Sequence, residues 1–402
     1  MRILFIASRL PYPPLQGDRA RAYHFLRLLK QKHRIVLVTP TSETVEATAR
    51  QAMAVLCECW IPVRIPRWQA ILHLCSFPFS SLPLQTLYFC PPVLQKRVQA
   101  LLCAHSFDLV HVQLARMAPV ISKSGSVPRV LDFIDALSLN MQRRSVQEPW
   151  PARCLLHLEA ERMARYEQDL VASFDQQVVS SPVDREVIGA QKSLHVIPNG
   201  VDVESFPYTQ DGRDDNVIIF TGRMSYFPNV DAALYFAVEV FPLIVRRVPD
   251  TRLLIVGADP AGPIRKLACT PGIEVTGYVS RIQDYLTRAT IAVAPMRTGS
   301  GMQFKVLEAM ASGTPVVASP FALGGVEARD GEHLLVGHGA QEFADKVVFL
   351  LGNHNLRRTV AYNARQLVER RYTWEASVTA LERVYEELVV RHRRHLLNSS
   401  TQ

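Results

Sequence analysis

The sequence predicts an α/β chain of two doubly wound, Rossmann-like domains, on three observations. Short buried-looking apolar runs alternate with helical patterns along the whole chain, the alternation restarts once near residues 200–215, and each half is long enough for its own core. The first cycle opens with strand Ile3–Ala7 and a turn-rich loop, Pro11–Gly17. Helix Ala20–Lys32 follows, with Ala22, Phe25, Leu26 and Leu29 at helical spacing, and then strand Ile35–Val38. Further strands are predicted at Leu109–Val112, Val130–Phe133 and Gln177–Ser180, with a long amphipathic helix at Cys154–Phe174. The turn Pro198-Asn199-Gly200-Val201-Asp202 precedes the second cycle. Its strands are Val217–Phe220, Leu253–Val256, Glu274–Val275, Ile291–Ala294 and Pro315–Ala318; its helices include Val230–Val248 and one through Ala311. A last helix, Trp374–Val390, runs into a basic tail. The domains are drawn as 1–205, 206–373 and a terminal helix and tail, 374–402. No short repeat suggests a solenoid.

Composition narrows the classes. Of 402 residues, 48% are hydrophobic and 20% charged, the balance of a globular chain with a large core, which excludes disordered and collagen-like classes. The seven cysteines are scattered, without a C-x-x-C pair, and most sit in apolar runs, so a reduced, cytoplasmic setting is expected. The opening Met1–Ser8 run is too short for a signal peptide, and no uninterrupted apolar stretch reaches about 18 residues, so no membrane crossing is expected. The net charge of +8 is uneven: residues 1–150 hold 18 Lys and Arg against 8 Asp and Glu. That asymmetry fits an anionic partner, a membrane surface being one candidate, or simply a basic surface. The stretch Arg64–Arg97 is apolar between basic ends and reads either as a lipid-facing segment or as a buried helix pair.

The richest segment is Thr298-Gly-Ser-Gly-Met-Gln-Phe-Lys305-Val-Leu-Glu308. A strand ends, a glycine loop turns, and a helix begins, which aims backbone N–H groups at a guest such as a diphosphate. Lys305 and Glu308 are three apart and share a helix face. Such a cation can neutralise phosphate, and the carboxylate can accept sugar hydroxyls; a surface ion pair is the plainer alternative. There is no Asp-x-Asp pair or His/Cys cluster, so no metal site is expected. Neither domain opens with G-x-G-x-x-G, which argues against a dinucleotide oxidoreductase, and no nucleic-acid module is evident.

This segment resembles the donor-binding signature of glycosyltransferase family 4, the retaining nucleotide-sugar enzymes of GT-B fold. Ile197-Pro-Asn-Gly-Val-Asp202, Thr221-Gly-Arg223, Gly277-Tyr-Val279 and Gly324-Gly325 follow in the family's order, and Leu10–Arg21 resembles a bacterial exopolysaccharide subgroup. The resemblance implies two Rossmann-like domains facing each other across a cleft, acceptor side first, with the last helix packing back on the first domain. It implies transfer of a sugar from a nucleotide-diphosphate sugar to a polysaccharide or lipid-linked acceptor, without metal or other cofactor, at the inner face of the plasma membrane. Arg223, beside Gly222, and Lys305 would grip the diphosphate as the catalytic cations. Glu308 would hold the ribose, the backbone at Tyr278 and Val279 would line the base pocket, and Gly17, beside Asp18, would offer its N–H to phosphate or sugar.

Three departures stand out. A second glutamate usual in the family is replaced by Ser300, leaving sugar contacts to backbone N–H groups of a loop that includes Gly301 and Met302, or to other residues. A lysine usual after the Gly-Arg pair is missing from Tyr226-Phe-Pro-Asn229. The family's His-x-His is here His111-Val-Gln113, so His111 is either a site or a structural residue. Asp132 and Asp135 face either the acceptor or solvent. A non-catalytic nucleotide-sugar-binding scaffold is the second reading.

Overall fold

The computed structural model describes residues 1–14, 17–41, 45–121, 127–146, 148–299 and 301–399. It divides into two units, Met1–Pro198 with Ser377–Gln402, and Asn199–Ala376. The seams thus fall at 198/199 and 376/377, where the sequence reading drew them at 205/206 and 373/374.

The first unit holds seven parallel strands: β1 (Arg2–Ile6), β2 (Arg34–Thr41), β3 (Cys59–Arg64), β4 (Leu109–Gln113), β5 (Arg129–Ile134), β6 (Gln176–Val179) and β7 (Leu194–Val196). Their order is β3-β2-β1-β4-β5-β6-β7. Parallel strands need helices over both faces, which is why β4 and β6 are buried along their whole length. The order reverses between β1 and β4, so the loops leaving these two strands diverge and open a crevice at their carboxyl ends.

A polar network is sealed inside this unit. Arg21, from helix Gly17–Leu29, donates from Nε to Asp132 Oδ2 at 2.7 Å, and both side chains are fully buried. Its Nη1 donates to the carbonyl oxygen of Ile197 at 3.0 Å. His111 stacks on Phe5 with ring centroids 4.3 Å apart, and its Nδ1 lies 2.8 Å from Tyr385 Oη of helix Trp374–Ser399. The same helix offers Glu382 to Lys32 Nζ at 2.7 Å and to His33 Nε2 at 3.1 Å.

The second unit repeats the design with six parallel strands: β8 (Val217–Thr221), β9 (Arg252–Val256), β10 (Ile273–Gly277), β11 (Ile291–Ala294), β12 (Val316–Ala318) and β13 (Leu335–Val336). Their order, β10-β9-β8-β11-β12-β13, reverses between β8 and β11. The helical run Phe227–Val245 is long and apolar enough to cross a membrane by length and composition. It instead buries Ala232, Phe236, Val240 and Ile244 in the core of this unit.

Two expectations are corrected. All seven cysteines are free, but only Cys57 and Cys90 are buried, because several of the apolar runs that carry the others form exposed helix surface. The stretch 64–97 is neither lipid-facing throughout nor a buried helix pair: helix Arg67–Leu74 buries Ala70 alone, whereas helix Leu84–Phe89 buries Thr86 and Leu87, and helix Pro92–Ala104 buries Leu94.

Breaking the Arg21–Asp132 pair leaves a charge stranded in the core. Asp132→Asn should therefore lower the stability of the full chain by about 3–5 kcal/mol in urea unfolding. Tyr385→Phe, which removes one neutral hydrogen bond, should cost only about 1 kcal/mol. Equal stabilities of Asp132→Asn and wild type would contradict the assignment.

Candidate functional site

In the second unit, the loops flanking the reversal point are drawn together by glycine. Gly257 follows β9, and a Cβ there would lie 1.8 Å from the Gly222 carbonyl oxygen; Gly222 itself has a φ of +151°. A Cβ on Gly222 would also meet Asn229 Nδ2 at 2.7 Å. Bare backbone thus admits the Asn229 side chain against the end of β8. Asn229 Nδ2 donates to the Arg223 carbonyl at 3.0 Å, and its Oδ1 accepts from Lys305 Nζ at 2.6 Å. One amide therefore joins the loop after β8 to the helix after β11.

That helix is Phe304–Ala311, and Lys305 is its second residue. The ammonium lies 3.5 Å from both Met296 Sδ and Gln303 Oε1 and 5.2 Å from the Phe220 ring centroid. Every one of these neighbours is neutral. Burial pulls Lys305 down to about 8, with Glu308 opposing, and pushes the Glu308 carboxyl up to about 7, with Lys305 opposing. Among the described residues neither group has an ion-pair partner at bonding distance. An ammonium and a carboxyl shifted by burial and left without counter-charges are what a polar ligand would satisfy.

The turn before the helix is equally tight. Gly301 has a φ of +70°, and a Cβ on Gly324 would fall 2.0 Å from its carbonyl oxygen. Met302 is buried behind it. Ser300 lies outside the described residues.

Arg223 is exposed at the rim. Its Nε donates to Asp259 Oδ2 at 3.0 Å and to Ser225 Oγ at 3.1 Å, and a second nitrogen lies 2.9 Å from the same carboxylate oxygen. It therefore stands as a neutralised pair rather than a bare cation. Tyr278 is exposed on the loop after β10, and Val279 packs on the core. With strands about 4.8 Å apart, β10 lies about 10 Å from β8, a separation that a nucleoside can span.

In the first unit, Gly17 opens its helix and is exposed, at the crevice between β1 and β4. Asp18 is held by Ser8 Oγ at 3.5 Å, Arg116 at 3.6 Å and Arg9 at 3.7 Å, while Gln113 Nε2 donates to its carbonyl at 3.0 Å. Asp135 follows β5 and accepts from Ser180 Oγ at 3.0 Å. Burial, then the nearby Asp184 carboxylate, pushes it up to about 7.

His111 is a correction. It is fully buried mid-strand, paired in register with Phe5 and Val130, and burial pulls its imidazole down to about 4. It belongs to the sealed network and is not open to a substrate, and the same holds for Asp132. Sequence reasoning missed Asn229 and Asp259. The only signal for the first was its place in the stretch where the usual lysine is lacking.

Among the described residues no group of three His, Cys, Asp or Glu side chains could hold a metal ion. A cavity lined by Arg213, Asp214, Thr290, Gly313 and Arg357 opens at the amino ends of the second unit's strands, away from these groups.

Residues 215–353 match the family model described as glycosyl transferases group 1. The chain is similar to the phosphatidyl-myo-inositol mannosyltransferase of Mycobacterium tuberculosis, at 33% identity over 47% of this chain and 53% of the relative. The match thus spans about half that relative's length. The corresponding protein of Mycobacterium leprae is 27% identical over 73% of this chain and 77% of its own. Among solved structures, the sucrose-phosphate synthase of Thermosynechococcus elongatus superposes with a TM-score of 0.71 at 18% identity, covering 97% of this chain and all of the other. HepE of Anabaena, in complex with UDP and glucose, gives 0.68 at 16% identity, covering 96% of this chain and all of the other. These neighbours share its α/β, GT-B fold, and residues 215–353, within the second unit, carry the match to the group 1 glycosyl transferases.

Proposed function

We propose that the chain is a retaining glycosyltransferase, moving a hexose from a nucleotide-diphosphate sugar to a polysaccharide or lipid-linked acceptor. One observation carries the reading: the Lys305 ammonium is partly withdrawn from water at the reversal point of the sheet and, among the described residues, is bonded only to neutral groups. The diphosphate would accept hydrogen bonds from Lys305 and from backbone N–H groups of the turn at Gly301 and Met302. Glu308, one turn along, would accept from the ribose hydroxyls, and the Tyr278–Val279 loop would line the base. Arg223 would exchange its Asp259 partner for phosphate. The UDP held by the Anabaena neighbour and the lipid named for the mycobacterial relatives support the donor and acceptor classes.

The chemistry follows from charge. As the bond from anomeric carbon to diphosphate oxygen breaks, negative charge builds on the leaving oxygen, and a preorganised cation stabilises that state more than the ground state. Lys305 and Arg223 supply the charge, so the reading requires no metal.

Turnover is measured as nucleoside diphosphate released from whichever of UDP-glucose, UDP-N-acetylglucosamine or GDP-mannose most raises the melting temperature. Lys305→Ala should lower it by about 10²–10³, with little loss of stability. Glu308→Ala should weaken nucleotide affinity at least as much as it lowers turnover, since ribose contacts exist in both ground and transition states. Wild-type behaviour of both variants would refute the reading.

The pH dependence has a definite sign. Lys305 is charged below about 8 and loses its proton above it. A bound diphosphate favours the charged form, so UDP affinity should fall as pH rises past 8. Lys305→Arg, charged throughout, should not show that fall. Parallel titration curves for the two proteins would contradict the role given to Lys305.

A further inference from the structure

The first unit exposes an apolar surface that its fold does not use. On helix Arg67–Leu74, Trp68, Ile71 and Leu72 are exposed at positions i, i+3 and i+4, which is one face of the helix. The chain continues through right-handed residues Cys75 and Ser76 into the turn Phe77–Phe79, where Phe79 is 94% exposed. A second element is locked beside this turn. From helix Ala152–Ser173, the Arg162 guanidinium sits over the Phe77 ring at 4.3 Å and donates to the Ser80 and Leu82 carbonyls at 2.6 and 2.9 Å. Glu159 accepts from Leu84 N–H at 2.9 Å. Leu155 and Leu158 lie one turn before Glu159 and Arg162 on that same side, and both are more than half exposed.

Charge indicates what covers this surface. No residue from 59 to 107 is acidic, and exposed arginines stand at the surface's margins: Arg64 before the first helix, Arg67 at its first position, and Arg153 at the start of the second. Large apolar side chains with exposed arginines at their margins, the nearby Glu159 and Glu161 being engaged by Arg162 and by Arg165 and His157, match the edge of an anionic bilayer, where rings and leucines enter the acyl boundary and guanidinium groups meet lipid phosphates.

We propose that this surface, Trp68, Ile71, Leu72, Phe79, Leu155 and Leu158, docks the chain on an anionic lipid bilayer. The inference does not depend on the glycosyltransferase reading, because these side chains belong to the first unit and the proposed donor groups to the second.

The test is co-sedimentation of the full chain with phosphatidylglycerol–phosphatidylcholine vesicles. Binding should rise with phosphatidylglycerol content, fall with salt as exposed charges are screened, and be weak on pure phosphatidylcholine. Trp68→Ala combined with Leu72→Ser should lower the partition coefficient at least about ten-fold, with melting temperature and UDP affinity unchanged. A second variant, Phe79→Ala with Leu155→Ser, should do the same from the other element. Three results would overturn the proposal. One is binding indifferent to anionic lipid, and another is wild-type partitioning by both variants. The third is a dimer of the full chain that these substitutions dissociate, which would make the surface a contact between copies.

Discussion

The hydrogen bond from Lys305 to Asn229 is the contact on which the second unit's chemistry depends. A doubly wound sheet parts its loops where the strand order reverses, between β8 and β11. Left to itself, that divergence would leave the helix after β11 unrelated to the loop after β8. Asn229 closes the gap, donating to the Arg223 carbonyl on one side and accepting from Lys305 on the other. The arrangement exists only because Gly222 and Gly257 lack side chains, since a Cβ on either would collide with Asn229 or with backbone. A neutral amide holds the ammonium in place without cancelling its charge. A carboxylate in the same position would hold it as firmly and spend the field that a phosphate needs.

The first unit uses the same sheet logic for a different end. Its reversal point, between β1 and β4, carries Gly17 and an Asp18 surrounded by Ser8, Arg9 and Arg116. Just beneath, Arg21, Asp132, His111 and Tyr385 form a sealed network that binds the terminal helix to this sheet. His111 and Gln113, two apart on β4, share a face yet do different work. The first is buried mid-strand, while the second, also buried, ends the strand and bonds the Asp18 carbonyl.

How much of this was legible in the sequence follows from where each element lies. The interior strands are all legible, because a strand buried on both faces is a nearly continuous apolar run. The strands that were missed, β3, β7 and β13, are all sheet edges. Edge strands are short or carry residues that interior strands exclude, as β3 carries Pro62 and Arg64. The Gly301–Glu308 segment was legible because its glycines and helix start are local. Asn229 was not, because its role depends on a helix 76 residues away. The shifts of Lys305 and Glu308 were also hidden, since burial is a property of the fold and not of the residue pair. His111 was read as a site or a structural residue, and only its depth in the sheet decides for the latter.

Lys305 keeps its charge available because its closest partner is an amide. The most direct test is calorimetric titration of UDP into wild type and Asn229→Asp, after ligand-free melting shows that both are folded. The substitution would set a carboxylate where Oδ1 now lies 2.6 Å from the ammonium. UDP affinity should be weaker by at least ten-fold, about 1.4 kcal/mol. Undiminished affinity in Asn229→Asp would contradict it, because the charge of Lys305 would then not be what the diphosphate meets.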